Sequence, residues 1–301
     1  MDREQQPMGN VRVGPAGWSY EDWKRVVYPP RMPRSLHPLE YLSRFFDTIE
    51  VNTSFYRPPG AKYCEAWVRK VAGNSRFMFT FKLWQRFTHQ RDTWPGDDEI
   101  RLFSDGIAPV VEAGKLGALL VQFPWSFRRT PENRQWLARV LDAFSVYPLA
   151  LEIRHTSWNR AEVFEHLAER GVAFCNIDQP MFRESLGMTD SVTARIGYVR
   201  LHGRNAEDWF RVDASRDERY DYLYSPEELL DWLRVIRRMQ RAAKDIYAIT
   251  NNHFAGQAIV NAFEMMHGLG LAVREVPSCL VEKYPRLKEL KSVPVLAGDE
   301  N

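Results

Sequence analysis

A closed barrel of eight parallel strands, the (β/α)8 or TIM-barrel fold, is what this sequence predicts. Three observations carry that expectation. Eight short apolar runs of strand length alternate with longer segments of helical character, and strands joined by crossovers of that length pair in parallel. Eight such units within roughly 250 residues match the size of the fold. No Gly/Ser linker, internal repeat or low-complexity tract divides the chain, which favours one domain. The competing architecture is an open doubly wound sheet, but "GPAGWS" after the first strand lacks the third glycine of a dinucleotide-binding turn.

The strands are read in order as Val11–Gly14, Thr48–Asn52, Phe77–Lys82, Ala118–Phe123, Leu149–Arg154, Val172–Asp178, Tyr198–His202 and Ile246–Asn251. Helices lie between them. One opens with Thr130 as N-cap and Pro131 at its first position. Another carries Ser225, Pro226 and Glu228 as a capping box ahead of Leu229, Leu230, Leu233 and Ile236. "RAEVFEHLAERG" stops on Gly171, and "FAGQAIVNAFEMMHGLG" also ends on glycine. The weakest crossover is Gln179–Arg195, which holds at most a short helix. The expected organisation is a barrel over 11–270, a flexible N-terminus over 1–10, and a C-terminal appendage over 271–301 packed on the barrel's outside or bottom.

With 41 Lys and Arg against 39 Asp and Glu the formal charge is +2. That balance does not indicate a nucleic-acid binder, although it does not exclude one. Three widely spaced cysteines, Cys64, Cys175 and Cys279, form no CxxC pair and read as free thiols of a reducing compartment. "MDREQQPMGN" lacks the apolar run of a signal peptide, and no run of about 18 apolar residues suggests a membrane span. The expectation is a soluble, cytoplasmic protein with no membrane association. The sequence carries no signal for an oligomeric state.

In a barrel one strand face meets the helices and the other fills the lumen. Alternate residues give an entirely apolar set for the helix layer: Val11/Val13, Ile49/Val51, Phe77/Phe79/Phe81, Leu119/Val121/Phe123, Leu149/Leu151/Ile153, Ala173/Cys175/Ile177 and Val199/Leu201. The opposite set gives Glu50/Asn52, Thr80/Lys82, Leu120/Gln122, Glu152/Arg154, Asn176/Asp178 and Arg200/His202, with Asn251, Asn252 and His253 at the last rim. Polarity rises toward the C-terminal strand ends, where barrels build their sites. A single buried Glu–Arg pair is usually structural. Six strands repeating the pattern at one end point instead to a ligand site for a small anionic molecule.

The expected lumen holds Glu50, Glu152 and Asp178 against Lys82, Arg154 and Arg200, three charges against three, plus His202. Two carboxylates from separate strands suit acid–base work of the glycosidase kind. Arg154 and Arg200 suit bidentate binding of phosphate or carboxylate, and His202 suits proton transfer near neutral pH. Lys82 is either a point cation or, with its pKa lowered by neighbouring cations, a Schiff-base amine. No cofactor is expected. A divalent metal held by Glu152, Asp178 and His202, serving phosphoester or nucleic-acid hydrolysis, is the alternative; three interleaved cations and the lack of HxH or HExxH spacing speak against it. Trp18, Trp23, Tyr56, Trp84, Trp94, Trp125, Trp158 and Trp209 follow strands and suit stacking on a sugar or base, or else pin long loops. The loop "GRNAEDWFRVDASRDERYDYLYS" after the seventh strand suits a lid or, in a non-catalytic reading, a partner surface.

Seven ordered motifs resemble one family: "GWSYEDWKRVVYP", "FDTIEVNTSFYRPP", "FTFKLWQRFTH", "KLGALLVQFPWSF", "LEIRHTSW", "YVRLHG" and "NNHFAGQAIVNA". From about Val11 to Leu269 the chain resembles the YecE-like family, or domain of unknown function 72. The resemblance implies a TIM barrel and brings no established reaction. Its signature falls on Trp18, Tyr20, Glu50, Asn52, Phe55, Tyr56, Lys82, Thr88, His89, Gln122, Pro124, Glu152, Arg154, His155, Trp158, Arg200, His202, Gly203, Asn251 and Asn252. The histidine of "NNH" departs from an acidic residue often found there. The expected catalytic groups are therefore Glu50, Glu152, His202, Lys82 and Asp178. The expected substrate-binding groups are Arg154, Arg200, Asn52, Gln122, His89, His155, Trp18, Tyr56, Trp158, Asn251 and Asn252.

Overall fold

A computed structural model of the chain describes residues 8–209, 211, 213–273 and 275–291. Residues 1–7 of the expected flexible N-terminus and 292–301 of the expected appendage lie outside the described residues. The eight strands are β1 (Asn10–Pro15), β2 (Thr48–Val51), β3 (Met78–Lys82), β4 (Leu116–Gln122), β5 (Leu149–Glu152), β6 (Ala173–Asp178), β7 (Ile196–Leu201) and β8 (Asp245–Thr250). They form one sheet in the order β1-β8-β7-β6-β5-β4-β3-β2, every pair parallel. A parallel bridge between Ala16 and Glu50 brings its two ends together, and Gly17 N–H donates to the Glu50 carbonyl at 2.8 Å. The protein is a (β/α)8 TIM barrel.

The principal helices are α1 (Pro38–Leu42), α2 (Ala61–Lys70), α3 (Asp97–Glu112), α4 (Pro131–Ala143), α5 (Ala161–Glu169), α6 (Pro226–Met239), α7 (Gln257–Gly268) and α8 (Ser278–Lys283). Their ends obey local chemistry. Thr130 caps α4 by accepting from Asn133 N–H, and Ser225 with Glu228 forms a reciprocal capping box on α6. The apolar stripe of α6, with Leu229, Trp232, Leu233 and Ile236, is buried against the sheet. Among the described residues no helix is long and apolar enough to cross a membrane.

The crossover from β6 to β7 departs from the pattern, because residues 179–195 form no helix. A loop laid on a sheet has backbone groups that a helix would satisfy internally, so side chains must supply partners. Asn176 does this on β6: its Oδ1 accepts from Ser191 N–H at 2.9 Å and Thr189 Oγ1 at 2.7 Å, while its Nδ2 donates to the Ser191 carbonyl at 3.0 Å. Thr193 Oγ1 likewise joins Phe174 N–H to the Val172 carbonyl.

That loop explains an error in the expected strand phase. Register sets Ala173 beside Ala150, Cys175 beside Tyr198 and Ile177 beside Arg200. Neighbours in a parallel pair share a face, so Ala173, Cys175 and Ile177 point into the lumen. Asn176 and Asp178 face the outer layer, the reverse of the sequence expectation. On the other strands polarity marks the lumen, whereas on this one Asn176 serves the loop and Asp178 meets Arg204 and Trp232 of α6.

The C-terminal residues join the same core. Val276, Leu280, Val281 and Leu287 are buried, Arg286 pairs with Glu264 of α7 at 2.6 Å, and Tyr284 Oη donates to the Ala255 carbonyl at 2.9 Å. This places the segment outside α7 and beside the loop that follows β8, rather than under the barrel. Cys64, Cys175 and Cys279 are free and buried.

Candidate functional site

A cavity of about 1130 Å³ opens at the C-terminal ends of the strands. Of the sequence-predicted site residues, Trp18, Asn52, Tyr56, Lys82, His89, Gln122, Arg154, Arg200 and Asn251 line it. Each comes from a strand end or the segment just after it, where side chains of successive strands converge. Glu50, Glu152 and His202 lie beneath its floor, each 0% exposed.

The floor is a closed ion network built around Arg200, itself 2% exposed. Its guanidinium donates through Nη2 to Glu50 Oε1 at 2.7 Å and through Nη1 to Glu152 Oε2. Arg154 Nε donates to Glu152 Oε1 at 2.9 Å. Tyr198, an inward residue of β7, donates to Glu50 Oε2 at 2.8 Å and reaches Thr80 Oγ1 at 2.8 Å. Although burial alone opposes ionisation, Arg200, His202 and Arg154 together hold the Glu152 carboxyl well below the usual carboxylate range. Both carboxylates thus face one arginine inside the protein rather than a substrate.

His202 is similarly enclosed. Asn251 Nδ2 lies 3.0 Å from its Nδ1, and its Nε2 lies 3.1 Å from Glu152 Oε1. These partners suit the neutral ring with its proton on Nε2, donating to the carboxylate. Burial first, then Arg154, pushes the His202 pKa down to about 3. The neutral-pH proton carrier expected from the sequence is therefore a fixed neutral ring. His89, on the cavity wall, is also held near 3 by burial and then by Lys82 and Arg154; its Nδ1 meets Thr88 Oγ1 at 2.9 Å.

Lys82 differs from both arginines. Its ammonium has no hydrogen bond or ion pair among the described residues, and its Nζ sits 3.7 Å from the centroid of the Phe55 ring. Burial, then Arg200 and Arg154 against the weaker pull of Glu152 and Glu50, brings its pKa down to about 7. With Asp178 outside the lumen, the inner charges are Glu50 and Glu152 against Arg200, Arg154 and Lys82. The expected balance of three against three is thus two against three, and the surplus falls on Lys82.

Asp178 belongs to another network. Arg204 grips it through Nε at 2.9 Å and Nη2 at 2.7 Å, and Trp232 Nε1 of α6 donates to its Oδ2. The alternative metal set of Glu152, Asp178 and His202 is therefore not assembled, and no group of three or more His, Cys, Asp or Glu suited to a metal occurs among the described residues. Replacing Asp178 by Ala leaves Trp232 Nε1 without its acceptor and Arg204 with Glu228 alone, so thermal unfolding is expected to show a loss of about 1–3 kcal/mol with ligand binding at the mouth unchanged. Reduced ligand binding at constant stability would contradict this assignment.

Other expected contributors are also displaced from the cavity. Asn252 points outward, donating to the Tyr222 carbonyl and to Asn261 Oδ1 of α7, both at 2.8 Å. His155 accepts from Ser157 N–H and lies behind Trp125, ring centroids 5.3 Å apart. Trp158 is buried, its Nε1 donating to the Phe127 carbonyl, and Trp23 is buried likewise against the His253 carbonyl. Trp84 and Trp94 pack around Phe87, the latter also against Trp136. Of the aromatics expected there, Trp18, Tyr56, Trp125 and Trp209 do line the cavity.

Several cavity residues were not among the expected binding groups, notably Tyr20, Phe55, Arg57, Trp67, Arg219 and Tyr220. Arg57 had a signal in "SFYRPP", directly after a strand end. Trp209 and Tyr220 belong to the loop after β7; Trp209 sits 5.4 Å from the Arg154 guanidinium and 6.2 Å from the His202 ring. Part of that loop is thus a wall of the cavity. Its residues 210 and 212 lie outside the described residues.

Comparison with known proteins gives a consistent picture. The family model described as "Protein of unknown function DUF72" matches residues 12–288. The UPF0759 protein YunF of Bacillus subtilis is 30% identical over 287 residues, covering 88% of this chain and 99% of YunF. The UPF0759 protein YecE of Escherichia coli K12 is 24% identical over 163 residues, 54% of this chain and 55% of YecE. A crystal structure of a DUF72 family protein from Thermotoga maritima superposes with a TM-score of 0.76 at 34% identity, covering 86% of this chain and 99% of the other. One from Enterococcus faecalis gives 0.77 at 26%, covering 89% and 98%.

Proposed function

This chain belongs to the DUF72 family, and from that premise we propose that its barrel mouth binds a small organic anion carrying a planar ring, as an enzyme acting on that molecule. One observation carries the reading. Among the described residues five cationic side chains line the cavity, Arg57, Lys82, Arg154, Arg200 and Arg219, and no Asp or Glu does. Glu50 and Glu152 beneath the floor offset two of these charges, so a carboxylate or phosphate entering this space meets a positive surplus in partly desolvated surroundings, where such attraction is strong. Trp18, Phe55, Trp125, Trp209 and Tyr220 on the walls supply faces for a ring. The volume exceeds what a lone phosphate fills.

Acid–base chemistry by a Glu50 and Glu152 pair gains no support from this arrangement, since both are committed to Arg200. The arginines keep their charge at any working pH, whereas Lys82 adds a cation only below about 7. Anion affinity is therefore expected to strengthen as pH falls through that value.

Thermal shift measurements at low salt test the reading with matched pairs: adenosine monophosphate against adenosine, and indole-3-acetate against indole-3-ethanol. A bound anion at about 100 times its Kd adds roughly 2.7 kcal/mol, or about 5 °C for a chain of this size. The anionic member of a pair is expected to stabilise the wild type, and Arg57→Ala, at an exposed position, to weaken that effect. Equal stabilisation by the neutral members, or none by either, would overturn the proposal.

A further inference from the structure

We propose that Lys82 is a covalent nucleophile, whose amine forms a Schiff base with a carbonyl carbon of the anionic molecule bound in the mouth. The inference rests on the anion-binding reading, because the arginines are what would orient the carbonyl compound. Its own evidence is geometric. Three cationic side chains from strand ends converge on the cavity floor, and two of them are held by carboxylates. Arg200 spans Glu50 and Glu152, and Arg154 is fastened to Glu152. Lys82 alone of the three has no carboxylate partner among the described residues, and its tip lies against the Phe55 ring while lining the cavity.

An ammonium with an aromatic face but no carboxylate for a partner, set beside two arginines, is a costly arrangement for a purely structural residue. The same surroundings serve an amine that must be free to react, since cationic neighbours and apolar burial both favour the neutral form. The direction of the Lys82 pKa agrees with this, lying near 7. His202 and His89, held neutral beside it, place no competing cationic acid on the floor.

The step balances with one solvent proton and no other reactant. The Nζ lone pair attacks the carbonyl carbon, the C=O π pair moves to oxygen, and a proton passes from nitrogen to that oxygen. The resulting carbinolamine expels hydroxide as the nitrogen lone pair forms C=N. A proton from solvent, equivalent to the one Nζ releases on becoming the free amine, converts the departing hydroxide to water and leaves an iminium. The iminium is an electron sink that weakens bonds one atom away, while Arg154 and Arg57 hold the molecule's anionic group.

Reductive trapping tests this on the full-length protein. Glyoxylate, an anionic aldehyde, and acetaldehyde, a neutral one, are each supplied with sodium cyanoborohydride, whose hydride reduces any iminium to a stable secondary amine. Peptide mass spectrometry then reads the modification rate at Lys82 and at exposed Lys24, Lys62 and Lys283. At pH 7 about half of an amine with pKa near 7 is free, against roughly three parts in 10⁴ for an ordinary lysine. Allowing for its lower basicity, Lys82 is expected to react at least ~10-fold faster than the exposed lysines, and faster with glyoxylate than with acetaldehyde. Its rate should level off above about pH 8 while theirs keep rising. Selective labelling by acetaldehyde but not glyoxylate would keep the nucleophile and remove the anion site. Labelling at the surface rate with both aldehydes would remove the nucleophile.

Discussion

Arg200→Met is expected to destabilise the protein by about 3–5 kcal/mol, the usual cost of leaving buried charges without their partner. For a chain of this size that corresponds to a fall in Tm of roughly 5–9 °C. The reason is the position of Arg200 between Glu50 and Glu152, both 0% exposed. Adding Glu50→Gln and Glu152→Gln to the Arg200→Met protein is expected to recover part of the loss, because neutral amides in that pocket no longer need a cation. The pH dependence has a definite sign. Glu152 has a depressed pKa in the native protein, so its contribution is present above the usual carboxylate range and is lost as pH falls. Without Arg200 that depression is relieved, and the gap between wild type and variant should narrow in acid. Urea or thermal unfolding at pH 7 and pH 4 measures this. A Tm loss of a degree or two, or no recovery from the glutamine changes, would show that charge pairing on the floor is not what matters.

Lys82→Met should act in the opposite direction and stabilise the ligand-free protein, by an order-of-magnitude figure of ~2–3 kcal/mol at pH 6. The sign follows from linkage. Lys82 titrates near 7 in the folded chain against 10.5 as the ordinary value. Between those pH values the unfolded state holds a proton that the folded state has lost, so stability rises with pH across that window. The cost of carrying Lys82 is thus complete below about pH 7, fades through the window and is gone above it. Methionine has a similar length and carries no charge, so its advantage should be largest at pH 6 and nearly absent by pH 10. Melting curves of the two proteins across pH 6 to 10 check the claim. A gain that grows with pH, or a loss at pH 6, would mean that Lys82 has an anionic partner in solution. A residue that weakens its own fold in this way is the pattern expected where function sets the choice of side chain.

Most of the barrel was legible in the sequence because its signals are local. Apolar runs mark the strands, and "TPENRQW" and "SPEELL" announce helix starts whose caps form as read. The helix-free crossover after β6 was legible only as a weak spot, Gln179–Arg195, since nothing local says what covers a strand when no helix does. For the same reason Asn176 and Asp178 were assigned to the lumen: alternation separates two faces, but only register against β5 and β7 says which face is which.

The candidate site divides along a similar line. Glu50, Lys82, Glu152, Arg154, Arg200 and His202 were legible as an inward polar set, because period-two alternation ties residues of one strand to one face. Which of them meet solvent was not legible. Depth along the barrel axis depends on strand stagger, and it puts the two glutamates below the floor while leaving Lys82 and Arg154 at the surface of the cavity. Trp23, Trp158 and Asn252 follow strands just as Trp18, Trp125 and Asn251 do, yet loop packing turns the first group into the protein and the second toward the mouth.

By itself, then, the sequence determined a parallel eight-strand barrel and the inward polar character of most strand ends, which follow from short-range periodicity, and pointed to its family through seven ordered motifs. Tertiary structure alone decided how the charges add up. Rotating Asp178 out of the lumen converts a neutral ring into one with a surplus cation, and a surplus is a property of which side chains share an enclosure.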